Sequence, residues 1–162
     1  MTDQVTKKLV QKLADICTQK NKIMTCAESC TGGLIAASCT DLAGSSAWFD
    51  RGFVTYSNLS KQQMLGVTSQ TLDNWGAVSE QTVIEMAQGA VRNSQANMAV
   101  SVSGIAGPGG GSEEKPVGTV WFAWADDTGQ LKTQCEHFEG DRAEVRSQAV
   151  ITGLQGLVDI SK

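Results

Sequence analysis

The sequence contains a single histidine, His137, and no Cys-x-x-C motif, and both absences restrict the available chemistry. Structural zinc sites are built from sets of cysteine and histidine ligands, so no structural zinc site is expected. We also expect no other metal and no cofactor. A Ser-His-Asp triad would have to use His137. That residue continues the strand-like alternation of Leu131, Thr133 and Cys135, so we expect it on a strand face rather than at a catalytic centre.

The chain also lacks an excess of basic residues and a long apolar run. Its formal net charge is −4, whereas nucleic acid partners favour a basic face. No apolar stretch approaches the roughly 20 residues that span a bilayer, and the first 20 residues have an amphipathic helical pattern rather than a signal peptide pattern. Five irregularly spaced cysteines are typical of reduced thiols. We therefore expect a cytoplasmic protein without nucleic acid or membrane partners.

What is present fits one domain, residues 1–162, without linkers or repeats. The chain is 41% hydrophobic, which is enough for a substantial core. Helical patterns cover 4–19, 34–42, a segment that Ser57 or Asn58 caps and that ends at Gly66, 69–75, a segment capped by Ser79, and a last segment that begins at the capping box Asp141-x-x-Glu144. Strand patterns cover 22–27, 48–56 (interrupted at Gly52), 98–103, 117–125 and 131–138. This alternation predicts a three-layer α/β/α domain with a mixed, mostly parallel sheet.

Ser29 is the first candidate for chemistry, because it follows a predicted buried strand and precedes a small-residue helix. In that position its hydroxyl lies near the backbone N–H groups of Thr31, Gly32 and Gly33, which could bind an anion or stabilise an oxyanion. A plain helix N-cap serine is the alternative interpretation. The neighbouring Cys30 would gain thiolate character at a helix N-terminus, but it lacks a histidine partner.

A serine nucleophile without histidine needs another base, and Lys61 is the better candidate. It lies near the start of a predicted helix, whose dipole, together with partial burial, would lower the pKa of the amine. A solvated surface lysine is the alternative. Tyr56, the one tyrosine, ends the preceding strand and could position Ser29 or relay a proton.

Three further features of the sequence are candidates for a site. Ser112 and Lys115 match the bare S-x-x-K pattern of penicillin-binding enzymes, but they lie in a glycine-rich acidic loop, so we reject them as a catalytic pair. The loop 104–111 could wrap a phosphate with its amides, or could be merely flexible. Arg142 lies at a predicted helix start, where a cation is unfavourable, which suggests an anion clamp; a salt bridge is the alternative.

Four blocks of sequence resemble one known family. They are TCAESCTGG (25–33), AGSSAWFDRGFVTYSN (43–58), WGAVSE (75–80) and SVSGIAGPGGGSEEKPVGTVWFA (101–123). Together they resemble the nicotinamide-nucleotide amidases of the CinA C-terminal domain family, in its stand-alone form. The resemblance covers about residues 20–155.

The resemblance implies hydrolysis of the carboxamide of nicotinamide mononucleotide, giving nicotinate mononucleotide and ammonia in pyridine nucleotide recycling. It places the serine nucleophile on Ser29, the general-base lysine on Lys61 and the assisting tyrosine on Tyr56. Substrate contacts then fall on Ser46, Ser103 and Arg142, with Thr31 and Gly32 as further candidates. The competing hypothesis is a nucleotide-binding module without turnover. A homo-oligomer, with a dimer favoured, is also expected.

Overall fold

The computed structural model describes residues 3–162, so Met1 and Thr2 of the predicted domain lie outside the described residues. Its five strands are β1 (Met24–Glu28), β2 (Phe49–Val54), β3 (Met98–Gly104), β4 (Thr119–Asp126) and β5 (Leu131–His137). Its helices are α1 (Gln4–Lys20), α2 (Leu34–Thr40), α3 (Asn58–Leu65), α4 (Ser69–Trp75), α5 (Glu80–Arg92) and α6 (Arg142–Ser161), with a short 3-10 helix at Ser45–Ala47.

The strands form one sheet in the order β2-β1-β3-β4-β5. β1 pairs in parallel with both β2 and β3, whereas β4 is antiparallel to β3 and β5 is antiparallel to β4. Four of the five strands therefore run in one direction, which confirms the predicted mixed and mostly parallel sheet.

Helices cover both faces of this sheet, which confirms the three-layer arrangement. On one face, α1, α2 and α6 pack their apolar side chains, among them Leu13, Ile35 and Leu154, against β1, β3 and β4. On the other face, α5 packs with α3 and α4 over a second cluster that includes Met86 and Leu65. Both faces of β4 are covered by helices, which accounts for its nearly continuous apolar sequence.

Gly52 does not interrupt β2, contrary to the sequence-based expectation. The irregularity in pairing lies one step earlier, where Met24 pairs with Phe49 and Thr25 pairs with Arg51, so one residue of β2 is extra. Gly52 serves close packing instead, because a Cβ there would lie 3.0 Å from the Cβ of Ala36 on α2.

The helix caps follow the sequence closely. The capping box at Asp141 and Glu144 is present at the start of α6, and Ser57 and Ser79 accept hydrogen bonds as N-caps of α3 and α5. Within residues 3–162, no helix combines the length and apolar character that a membrane crossing requires.

Candidate active site

The candidate site lies where the parallel strands β1, β2 and β3 end. Glu28 pairs with both Val54 and Val102, so the segments that leave these strands emerge side by side. Strand ends of this kind are where open α/β sheets place their ligands. Ser29 follows β1, Tyr56 and α3 follow β2, and the glycine-rich loop follows β3.

Ser29 and Lys61 are in direct contact at this edge. The Nζ atom of Lys61 lies 3.0 Å from the Oγ atom of Ser29. Lys61 is only 1% exposed and Ser29 is 8% exposed, so the contact is largely shielded from water. The interpretation of Lys61 as a solvated surface lysine is therefore wrong.

The amine of Lys61 also donates to two main-chain carbonyls, those of Thr55 (2.9 Å) and Tyr56 (3.3 Å). A neutral amine has two N–H groups and one lone pair, so two carbonyls and one hydroxyl satisfy it completely. Burial lowers the pKa of Lys61 from 10.5 to about 8, because the charged form loses its hydration. Of the two causes expected from the sequence, burial and the helix dipole, burial is the one that lowers this pKa.

The turn that carries Ser29 is supported by a buried carboxylate that the sequence alone did not assign. Glu28 is fully buried and accepts from the hydroxyl of Thr31 at 2.6 Å. It also accepts from the N–H groups of Ile35 and Ala36 in the first turn of α2. The N-cap position belongs to Gly33, so the interpretation of Ser29 as an N-cap is also wrong.

A cleft of about 280 Å³ opens in front of the Ser29–Lys61 pair. Ser29 and Lys61 line this cleft. The other candidate residues that line it are Cys30, Tyr56, Ser103 and Arg142, and the glycine-rich loop contributes residues 104–107, 109 and 110. Arg142 donates to the carbonyl of Gly107 at 2.8 Å, so the first residue of α6 holds this loop in place. Its contacts are a carbonyl and a hydroxyl, not the salt bridge that was the alternative.

Ser103 contributes an unsatisfied hydroxyl to the cleft. Its side chain is 1% exposed, and its Oγ atom has no hydrogen-bond partner. Buried polar atoms without partners are rare, because each one costs about 1–3 kcal/mol of desolvation. A polar group of a ligand in the cleft would satisfy this hydroxyl.

Tyr56 is placed differently from the sequence-based hypothesis. Its side chain is 61% exposed, and its hydroxyl accepts from Arg142 at 3.1 Å. Lys61 is contacted by the carbonyl of Tyr56 and not by the phenol. Tyr56 therefore links the lysine through its main chain and the arginine through its side chain.

Three of the expected substrate contacts do not line the cleft. Ser46 precedes β2 and lies at the opposite end of the sheet, since β1 and β2 run in parallel for about 16 Å at 3.3 Å per residue. Thr31 is fully buried and turns its hydroxyl inward to Glu28. The N–H of Gly32 donates to the carbonyl of Ser29 at 3.0 Å.

Two alternatives from the sequence are resolved by the surroundings. Burial raises the pKa of Cys30 to about 11, so the expected thiolate character is absent. Lys115 donates from its amine to the carbonyl of Trp75 and does not contact the hydroxyl of Ser112 through that amine, which agrees with its rejection as a base. Within residues 3–162, no cluster of His, Cys, Asp and Glu side chains could hold a metal ion.

The sequence of this chain is similar to those of known proteins. The family model described as CinA C-terminal domain matches residues 6–160, and the chain belongs to this family. The chain is 63% identical over 132 residues to the "Nicotinamide-nucleotide amidohydrolase PncC" of Enterobacter agglomerans (82% of this chain and 80% of the relative). It is 55% identical over 157 residues to the protein of the same name from Escherichia coli strain K12 (97% and 95%).

A solved structure shows the same fold. The crystal structure of the competence/damage inducible protein CihA from Agrobacterium tumefaciens superposes with a TM-score of 0.98 at 45% sequence identity. The match covers 100% of this chain and 99% of that protein.

Proposed function

We propose that this protein hydrolyses the carboxamide of nicotinamide mononucleotide, giving nicotinate mononucleotide and ammonia. The observation that carries the proposal is the 3.0 Å contact between Ser29 and a lysine whose pKa is lowered to about 8. A serine beside a partly neutral amine, at the wall of an open cleft, is a nucleophile with its base already in place. The names of the Enterobacter agglomerans and Escherichia coli relatives point to the same reaction.

In the acylation step, neutral Lys61 accepts the proton of Ser29 while the Oγ atom attacks the carboxamide carbon. The tetrahedral intermediate then collapses, the C–N bond breaks, and protonated Lys61 passes its proton to the departing amine, which leaves as ammonia. The cationic pyridinium ring withdraws electrons from the carbonyl, which makes it easier to attack. The result is a nicotinoyl ester on Ser29.

In the deacylation step, Lys61 removes a proton from water, which attacks the ester carbon. The ester bond breaks and Ser29 recovers its proton from Lys61, so the enzyme returns to its starting state. The oxyanion would be held by backbone N–H groups near residues 30–33 or 104–107. Among these, the N–H groups of Gly32 and Ile105 are already engaged with the carbonyls of Ser29 and Thr119. We therefore assign the oxyanion to amides of these two segments that carry no such contact.

The substrate's anionic part would lie against Arg142 and the glycine-rich loop. Arg142 uses one N–H on Gly107 and one on Tyr56, which leaves three of its five donors for a phosphate. Ser103 would hydrogen-bond a polar atom of the substrate, which would satisfy its buried hydroxyl. Tyr56 would assist by orienting both Arg142 and Lys61. Ser46, Thr31 and Gly32 are left outside the proposed contacts of this cleft.

The decisive experiment is a coupled ammonia assay on the purified protein. Nicotinamide, nicotinamide riboside, nicotinamide mononucleotide and the dinucleotide would be compared under identical conditions. The proposal predicts ammonia release with the mononucleotide preferred, because Arg142 and the loop bind its phosphate. Binding of the mononucleotide without ammonia release would instead support the non-catalytic module, and preference for free nicotinamide would contradict the phosphate assignment.

The cellular location and the oligomeric state of the protein are also proposals. We propose a cytoplasmic enzyme of pyridine nucleotide recycling, in keeping with its five free cysteines. A homo-oligomer, with a dimer favoured, also stays a prediction, which light scattering of the purified protein would test.

A further inference from the structure

Arg146 makes two hydrogen bonds to the turn that follows Ser29. Its Nε atom donates to the carbonyl of Cys30 at 3.1 Å, and its Nη2 atom donates to the carbonyl of Thr31 at 3.2 Å. The side chain is half-buried and crosses from α6 to a segment 115 or 116 positions earlier in the chain. The guanidinium thus spans two successive carbonyls with its planar fork.

The same turn is also held by Glu28. Thr31 is the shared point, because its hydroxyl donates to Glu28 while its carbonyl accepts from Arg146. The N–H of Ser29 donates to the carbonyl of Val102 on β3, which fixes the start of the turn. Arg146 is therefore the contact that ties the end of the turn to α6.

α6 supports the cleft on two sides through residues one helical turn apart. Arg142 holds the glycine-rich loop at Gly107, and Arg146, four residues later on the same helix face, holds the turn of Ser29. A reacting group must stay within about 0.5 Å of its productive position, which requires support of this kind around it.

We propose that Arg146 is a positioning residue that keeps the Oγ atom of Ser29 within reach of Lys61. This inference rests on the proposed function, because the position of Ser29 limits the rate only if Ser29 is the nucleophile. Lysine cannot replace arginine fully here, since its single ammonium cannot present a planar fork to two carbonyls.

The test compares Arg146→Met and Arg146→Lys with the control variant Arg92→Met. Arg92 also donates from its guanidinium to a main-chain carbonyl, that of Leu65 at 3.3 Å, but it lies at the end of α5. For Arg146→Met we expect kcat for nicotinamide mononucleotide to fall about tenfold to hundredfold, with KM within about threefold. The kcat of Arg146→Lys should fall less than that of Arg146→Met, and the kcat of Arg92→Met should stay within about twofold of the wild-type value.

A second readout does not depend on turnover. Hydrogen–deuterium exchange of the amides in residues 30–33 should accelerate in Arg146→Met, while that of α3 stays at the wild-type rate. An unchanged kcat, a loss found only in KM, or an equal loss of kcat in Arg92→Met would overturn the inference. If the wild type releases no ammonia, the proposed function fails, and unchanged exchange in this turn would separately refute the role of Arg146 in holding it.

Discussion

Ser29 and Lys61 are 32 positions apart in the chain, yet their side chains meet at 3.0 Å. The parallel register of β1 and β2 explains this contact, because Glu28 pairs with Val54 and the residues after them emerge together. α3 begins at Asn58, so Lys61 lies in its first turn and its side chain points back to the strand ends. The pairing register of β1 and β2 thus brings two residues that are distant in the sequence into contact.

Ser29→Ala is expected to abolish ammonia release while leaving the fold intact, because it removes one oxygen atom from a small side chain. The measurement is the coupled ammonia assay together with thermal unfolding. Ser112→Ala is the matched control, since Ser112 is an exposed loop serine outside the cleft. Turnover retained in Ser29→Ala would remove Ser29 from the nucleophile's role.

The pH dependence of kcat/KM should report the ionisation of Lys61. Because the base must be neutral and burial lowers the pKa of Lys61 to about 8, the rate should rise with pH and level off above that value. Initial rates between pH 6 and 10 would measure this profile. A profile that is flat from pH 7 to 9 would contradict a neutral Lys61 as the base.

Lys61 should also make stability depend on pH. Its pKa is about 8 in the folded protein and 10.5 as the ordinary value, so between these values the unfolded chain binds more protons and the free energy of unfolding rises with pH. At about 1.4 kcal/mol per pH unit, the rise amounts to about 3 kcal/mol.

The variant Lys61→Met isolates this effect, because methionine is apolar and similar in length. Urea unfolding at pH 7 and pH 10 should show a larger increase in the free energy of unfolding with pH for the wild type than for Lys61→Met. The variant should also lose activity. An identical pH dependence in the two proteins would mean that Lys61 is not held neutral by burial.

Tyr56→Phe should affect substrate binding more than the chemical step. Its hydroxyl accepts from Arg142, whereas Lys61 is contacted by the main-chain carbonyl, which the substitution leaves in place. We expect KM for nicotinamide mononucleotide to rise severalfold and kcat to stay within about threefold. A fall in kcat of a hundredfold would instead support the proton-relay role considered from the sequence.

Gly156→Ala should destabilise the protein, although alanine normally favours a helix by about 1 kcal/mol over glycine. A Cβ at Gly156 would lie 2.0 Å from the indole ring of Trp124, which is fully buried against α6. Overpacking of this kind costs about 1–3 kcal/mol, measurable by urea unfolding. Gln155→Ala, on the exposed side of the same helix, is the control; equal stabilities would contradict the predicted clash.

Candidate residues that have a signal in their neighbouring sequence could be predicted from the sequence. Ser29 follows an apolar strand, Tyr56 ends another, and the capping box at Asp141 places Arg142 at a helix start. Arg146 carried no such signal, because its partners lie 115 and 116 positions away. Glu28 carried no recognised signal either, because its burial and its bonds to α2 depend on how α2 packs over the turn.

The sequence by itself determined the alternation of helices and strands, the caps and the turn residues, since these depend on side chains within a few positions of one another. Only the tertiary structure decided that Lys61 is buried, that Ser46 lies away from the cleft and that Gly52 serves packing. These properties depend on which distant segments come together, and strand order, register and layer packing set that proximity. The ionisation of Lys61 belongs to this second group, because its pKa is lowered by the bulk of the protein that surrounds it.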